Sequence, residues 1–209
     1  NSDDTMNQCA DIVSLGYRLA YNNQNGSFEG DPENMRDAFN LEHWGIGGHG
    51  LGAKQAATCQ LLMTGAWDSS LAGHPPTALI ALGLEDANTN VPDSYLGRSP
   101  DPGMGLYLTG TLDNMAKADT NVEQWLDEHT IPWHYMSVIG ANHLQYKDEQ
   151  SFFEGWNDGS ATMEREEQQA HARTHIIPYL DLMLKGDHTQ WLNATNREVN
   201  WENPSDSDA

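Results

Sequence analysis

The sequence predicts an α/β protein: a parallel sheet flanked by helices. Two observations predict it. Three short apolar runs, 77–84, 105–111 and 133–139, are bounded by Pro, Gly or charged residues, as strands buried on both faces are. Stretches with helical spacing alternate with these runs, and that order builds parallel strands through crossover connections.

Each element follows from its own residues. Cys9, Ile12, Leu15 and Leu19 recur at helical spacing over residues 5–22, and Asn22-Asn23-Gln24-Asn25-Gly26 ends that helix. Asp31 as N-cap and Pro32 at the first helical position open a second, short helix running to residue 40. Residues 41–47 form a strand candidate that runs into Gly47-Gly48-His49-Gly50-Leu51-Gly52. Residues 53–63, rich in Ala, Gln and Leu, read as the next helix. After the strand at 77–84 comes a polar, Pro-punctuated loop over 86–102. The strand at 105–111, a helix over 121–129 and the strand at 133–139 follow, and 151–160 reads as a loop. Residues 162–185 carry Ile176, Ile177, Leu180 and Leu184 on a long helix, with a kink expected at Pro178 and a stop at Gly186. One domain over 1–190 and a polar tail over 191–209, containing Trp191 and Trp201, complete the expected organisation.

Composition bounds the function. The 209 residues suffice for a single core, and 38% hydrophobic with 9% aromatic residues can fill one. Ten Lys plus Arg stand against 31 Asp plus Glu, a formal charge of −21. Nucleic-acid binding needs a basic face, so it is excluded, and docking on anionic membranes is disfavoured. No run is long and apolar enough to span a bilayer. An acidic, Lys-poor surface suits high salt or a marine setting, where screening weakens self-repulsion. It equally suits an ordinary acidic protein.

Three segments at the C-terminal ends of strands carry polar or Gly-rich chemistry, where catalytic groups sit in an open α/β sheet. They are Gly48-His49-Gly50-Leu51-Gly52, Thr109-Gly110-Thr111-Leu112-Asp113 and Gly140-Ala141-Asn142-His143. On these residues the sequence resembles the α/β-hydrolase family. The first segment resembles the nucleophile elbow G-x-S-x-G, and Asp113 and His143 follow in the family's chain order. Residues 172–187, ending Tyr179-Leu180-Asp181-Leu182-Met183-Leu184-Lys185-Gly186-Asp187, resemble the last helix of the dienelactone-hydrolase and polyester-hydrolase branches. The resemblance covers residues 41 to 187.

The resemblance implies a carboxylic-ester hydrolase of the Ser-Asp-His type. His143 would be general base, Asp113 its orienting carboxylate, and the Leu51 amide an oxyanion donor. It needs no cofactor and no metal. Two departures qualify it. The nucleophile position holds Gly50, which fits the tight turn but supplies no oxygen. As written, the site is expected to be inactive or severely impaired, with water activated by His143 a weaker route. The other departure is the absence, ahead of the elbow strand, of the four strands that precede it in the family. A second chain or cleaved N-terminal fragment is therefore expected to complete the sheet, in an oligomer. The alternative function is a natural non-catalytic subunit of the same fold, structural or binding.

The family places the helices carrying Cys9 and Cys59 side by side. This implies a Cys9–Cys59 disulfide and a secreted or extracellular protein; two separate buried thiols are the alternative. Asp86, Asn88 and Asn90 alternate as calcium ligands do but lack the loop's Gly and Glu, so an Asx-rich turn is the better reading. His171 and His175 stand four apart on a helix without a zinc-protease pattern and read as a solvated face. His49, beside the nucleophile position, reads as packed. Trp67, Trp133 and Trp156 are cleft candidates with core packing as the default. Asp148 reads as a surface charge.

Overall fold

The run Ala78–Leu82 contains no polar residue, and both faces of the strand that it forms are covered. Leu79 and Ala81 point to one core, and Ala78, Ile80 and Leu82 to the other, as the two-residue strand period requires. A computed structural model describes residue 40 and residues 42–64, 76–86, 104–128, 132–148 and 157–198. Within these, β1 (Gly45–His49), α1 (Leu51–Thr64), β2 (Ala78–Leu82), β3 (Met104–Gly110), α2 (Val122–Glu128), β4 (Trp133–Val138), α3 (Arg165–Lys185) and α4 (Thr189–Glu198) follow in order. The strands make one sheet, β1-β2-β3-β4, with all three pairings parallel. The fold is therefore the predicted α/β type.

Helices cover both faces. On one side Ala53, Ala56, Ala57 and Leu61 of α1 meet Leu79, Ala81 and Tyr107, together with Val122 and Trp125 of α2. The indole Nε1 of Trp125 donates to the Tyr107 hydroxyl at 3.0 Å. On the other side Ala172 and Tyr179 of α3 pack on Ala78, Leu106 and Leu108, with Trp191 of α4 beside them. The Tyr179 hydroxyl donates to the Met104 carbonyl and accepts from the Leu79 amide at 3.1 Å, tying α3 to two strands at once. Burying each large apolar side chain contributes about 1.5–3 kcal/mol.

Several boundaries differ from the sequence reading. Strand β1 continues through Gly47 and Gly48 to His49 rather than stopping at 47. A β-carbon at 47 would lie 3.1 Å from the Ile80 carbonyl oxygen, so glycine lets the strands approach there without displacing that carbonyl. Strand β2 ends at Leu82 because Gly83, at φ +50°, turns the chain. Helix α3 begins at Arg165 rather than 162, since the Thr162 amide is engaged by the Gly140 carbonyl at 2.9 Å. Pro178 lies within α3, and Gly186 caps the helix in the left-handed region at φ +71°, the stop that the sequence predicts. Residues 189–198 form α4, so Trp191, assigned from the sequence to a polar tail, sits in a helix against the core. The helices expected over 5–22 and 31–40 lie outside the described residues, apart from Asn40, as do Cys9, Asn88, Asn90, Trp67 and Trp156.

Candidate active site

The C-terminal ends of β1, β2, β3 and β4 converge on one imidazole. At β1 the chain turns sharply into α1. Gly50 is buried at φ +61°, its amide donates to the Leu82 carbonyl at 2.9 Å, and its carbonyl accepts from Ala53 at 3.0 Å. A β-carbon on Gly48 would strike the Gly52 carbonyl and the Ala53 amide, so strand and helix approach as closely as backbones can. The turn has the shape of a nucleophile elbow.

The Asp and His come from the next loops. Asp113 follows β3, with its side chain wholly buried. Its Oδ1 accepts from the amides of Met115 (3.0 Å) and Ala116 (2.6 Å), leaving Oδ2 for His143 Nδ1 at 2.9 Å. His143 follows β4 and its side chain is 3% exposed. The two loops are clasped: Leu112 donates to the Ala141 carbonyl at 2.9 Å, and Gly140 to Thr111 Oγ1 at 2.9 Å. A β-carbon on Gly83 would lie 2.8 Å from His143 Nδ1 and 3.0 Å from Asp113 Oδ2, so that glycine backs the pair.

The other face of the imidazole meets β1 and β2. A β-carbon at residue 50 would stand 3.1 Å from His143 Nε2. Glu85 Oε1 lies 3.0 Å from the same nitrogen. His49 packs its ring at 4.2 Å from that of His143, with Nε2 2.9 Å from the His143 carbonyl oxygen. Burial pulls the imidazole of His143 towards neutrality. The hydrogen bond and charge of Asp113, with the charges of Glu85 and Asp158, outweigh that and raise its pKa above the ordinary value. His49 is shifted the other way, by burial and then by the charge of His143.

The structure thus brings Gly50, Asp113 and His143 together as the sequence indicated. Leu51 opens α1, where a first-turn amide has no intrahelical acceptor. Other candidates fall elsewhere. Asp86, proposed weakly for calcium, holds Lys54 Nζ at 2.6 Å. Among the described residues no group of three or more His, Cys, Asp and Glu could hold a metal. His175 is buried rather than solvated: its ring stacks on His171 at 5.2 Å, and burial, then the charges of His171 and His134, lower its pKa to about 4. Trp133 is 49% exposed at the start of β4, the end of the sheet opposite the site. An open groove of about 1480 Å³ runs between β4, α3 and α4 past Ser137, His171 and Pro178, but Gly50, Asp113 and His143 do not line it.

Three contributors escaped sequence reading. Glu85 looked like the charged stop of a strand. Gln168 of α3, fully buried, accepts from the Asn142 amide at 3.1 Å and donates to the Asn142 carbonyl at 2.8 Å. Asp158 accepts from the Leu144 amide at 2.9 Å. Only a buried-polar pattern in α3 would have exposed Gln168, and the loop residue had no local signal.

No protein-family model matches the chain, and neither does any curated protein. Solved structures similar to it include SOBER1 from Arabidopsis thaliana, at 11% identity over 68% of this chain and 58% of that one, with a TM-score of 0.46. The carboxylesterase Cest-2923 from Lactobacillus plantarum matches at 14% identity over 90% of this chain and 68% of that one, TM-score 0.47. An acetyl ester-xyloside bifunctional hydrolase from Caldicellulosiruptor lactoaceticus matches at 11% over 71% and 61%, TM-score 0.40. The match to SOBER1 thus spans less than two thirds of that protein's length.

Proposed function

We propose that this chain is a hydrolase-fold protein carrying a carboxylic-ester hydrolase site of the Ser-Asp-His type, with Gly50 at the nucleophile position. One observation carries the reading: His143 Nε2 lies 3.1 Å from where a side chain on Gly50 would begin, while Asp113 holds the opposite ring nitrogen. In such a site the imidazole takes the nucleophile's proton and returns it to the leaving oxygen, the carboxylate fixes the tautomer, and the Leu51 amide meets the oxyanion. Gly50 closes the acyl-enzyme route, and losing a triad serine costs on the order of 10⁶ in kcat. The chain is therefore severely impaired by that route.

The test is hydrolysis of p-nitrophenyl acetate by the native protein and by Gly50→Ser. The serine should raise the rate by about 100-fold or more, since His143, Asp113 and the turn are in place and the flexible end of the Glu85 side chain can shift to admit it. Silence from both the native protein and a folded Gly50→Ser protein would refute the hydrolase reading and leave a binding or structural subunit.

Two further features belong to this reading. Strand β1 pairs only with β2 among the described residues, which supports a second chain or N-terminal fragment on that edge of the sheet. Light scattering and mass spectrometry of the native assembly test it. Cys59 is buried in α1 and is not a free thiol, which supports the Cys9–Cys59 bridge and secretion to an oxidising compartment. Two free thiols counted in the unreduced, unfolded protein would remove the bridge.

A further inference from the structure

Glu85 has no part in a serine hydrolase site of the kind just described, yet it is attached to this one at both ends. Its amide donates to the Gly50 carbonyl at 3.3 Å. Its Oε1 lies 3.0 Å from His143 Nε2, the nitrogen that faces the hydroxyl in a serine site. A β-carbon at residue 50 would lie 2.8 Å from that same oxygen, closer than such contacts come. Any side chain at 50 and the carboxylate in its present place therefore compete for one volume. The Glu85 side chain is also 23% exposed, whereas those of His143 and Asp113 are 3% and 0%. Of the three, it is the one that solvent reaches.

We propose that Gly50 and Glu85 form one exchange: with no side chain at 50, the Glu85 carboxylate takes the hydroxyl's place at His143 Nε2, and Glu85 serves as the base towards a hydrolytic water. The proposal rests on the ester-hydrolase reading above and deepens it. A water bound to Glu85 gives up a proton to the carboxylate as its oxygen bonds to the acyl carbon. The tetrahedral adduct collapses by breaking the bond between the acyl carbon and the leaving oxygen, which takes a proton from His143 Nε2. The protonated Glu85 returns that proton across the 3.0 Å contact. Ester and water have become acid and alcohol, and the side chains end as they began. The raised pKa of His143, with Asp113 on one nitrogen and Glu85 on the other, keeps a proton available for the leaving group.

The experiment uses the native protein with p-nitrophenyl acetate and compares it with Glu85→Gln, Glu85→Asp, Gly50→Ser and the double variant Gly50→Ser/Glu85→Gln. The native protein should turn over slowly above buffer. Glu85→Gln should lower kcat by about 100-fold, the lower range for a positioned base, with Glu85→Asp in between. In the Gly50→Ser background the sign should reverse: removing the carboxylate raises the rate, because Glu85 then competes with the serine for Nε2. An NMR titration of His143, which faces Asp113, Glu85, Asp158 and His49, supplies a readout besides activity, and Glu85→Gln should lower its midpoint. An unchanged rate and an unchanged titration in Glu85→Gln would reduce Glu85 to a space-filling side chain. Turnover by Gly50→Ser but none by the native protein would overturn the base and spare the hydrolase reading. Silence from both would end the two together.

Discussion

The Gly50 turn and the Asp–His loops meet at the same imidazole, but they are held by different things. Around Gly50 a sharp strand-to-helix turn is held by close backbone packing: φ is +61°, and a β-carbon on Gly48 would strike the backbone of Gly52. Around Asp113 and His143 the side chains are heavily supported. Two amides bind one carboxylate oxygen, a buried Gln168 grips Asn142 from both sides, and Gly83 leaves room for the pair. The difference teaches that the turn's geometry depends on backbone packing and needs no side chain at residue 50. A charged pair depends on named partners and would be exposed to the loss of any one of them.

The largest test breaks the second half. With serine installed at residue 50, adding His143→Ala should erase the whole gain and leave esterase activity no higher than that of the native chain. A gain that survived would mean that the serine works without this imidazole. Next, Gly48→Ala should destabilise the fold by about 3 kcal/mol, because its β-carbon meets backbone that cannot step aside. Urea denaturation measures this. Gln168→Ala should cost about 2 kcal/mol by stranding the Asn142 amide and carbonyl, and should speed amide exchange over 141–146.

A subtler effect comes from pH. His143 has a raised pKa in the fold, so its contribution is fully present below the ordinary imidazole value and fades as pH rises through the raised one. His175, lowered to about 4, does the reverse. Its neutral form stabilises above about 6.5, and that contribution is lost as pH falls from there towards 4. His175→Gln should therefore flatten the acid limb of a stability–pH curve, and His143→Gln the neutral limb. The smallest effect is the matched control Gly52→Ala. A β-carbon there meets nothing within 4 Å, so stability should change by less than about 0.5 kcal/mol.

The site was legible in the sequence where its signal is local. Gly48-His49-Gly50-Leu51-Gly52, Asp113 and His143 each stand just past an apolar run, and their order along the chain suffices to bring them together. Glu85 was not legible, because its role depends on the β1–β2 register and on the space left by a glycine on another strand. His175 misled, and Gln168 escaped notice, for a related reason. Polar residues on a helix suggest solvent, and only the packing of α3 against the β4 loops and Trp191 shows which of them are enclosed. Trp191 is the same case in reverse: its polar neighbours hid an aromatic anchor that sits 5.8 Å from the ring of Tyr179.

The shared volume at residues 50 and 85 also couples the two positions. While a side chain occupies position 50, the Glu85 carboxylate cannot hold its present place beside His143 Nε2 and must swing towards solvent. A serine placed at 50 would have to displace it in this way. Each position thus sets the consequences of mutating the other, and a survey of one without the other would misjudge both.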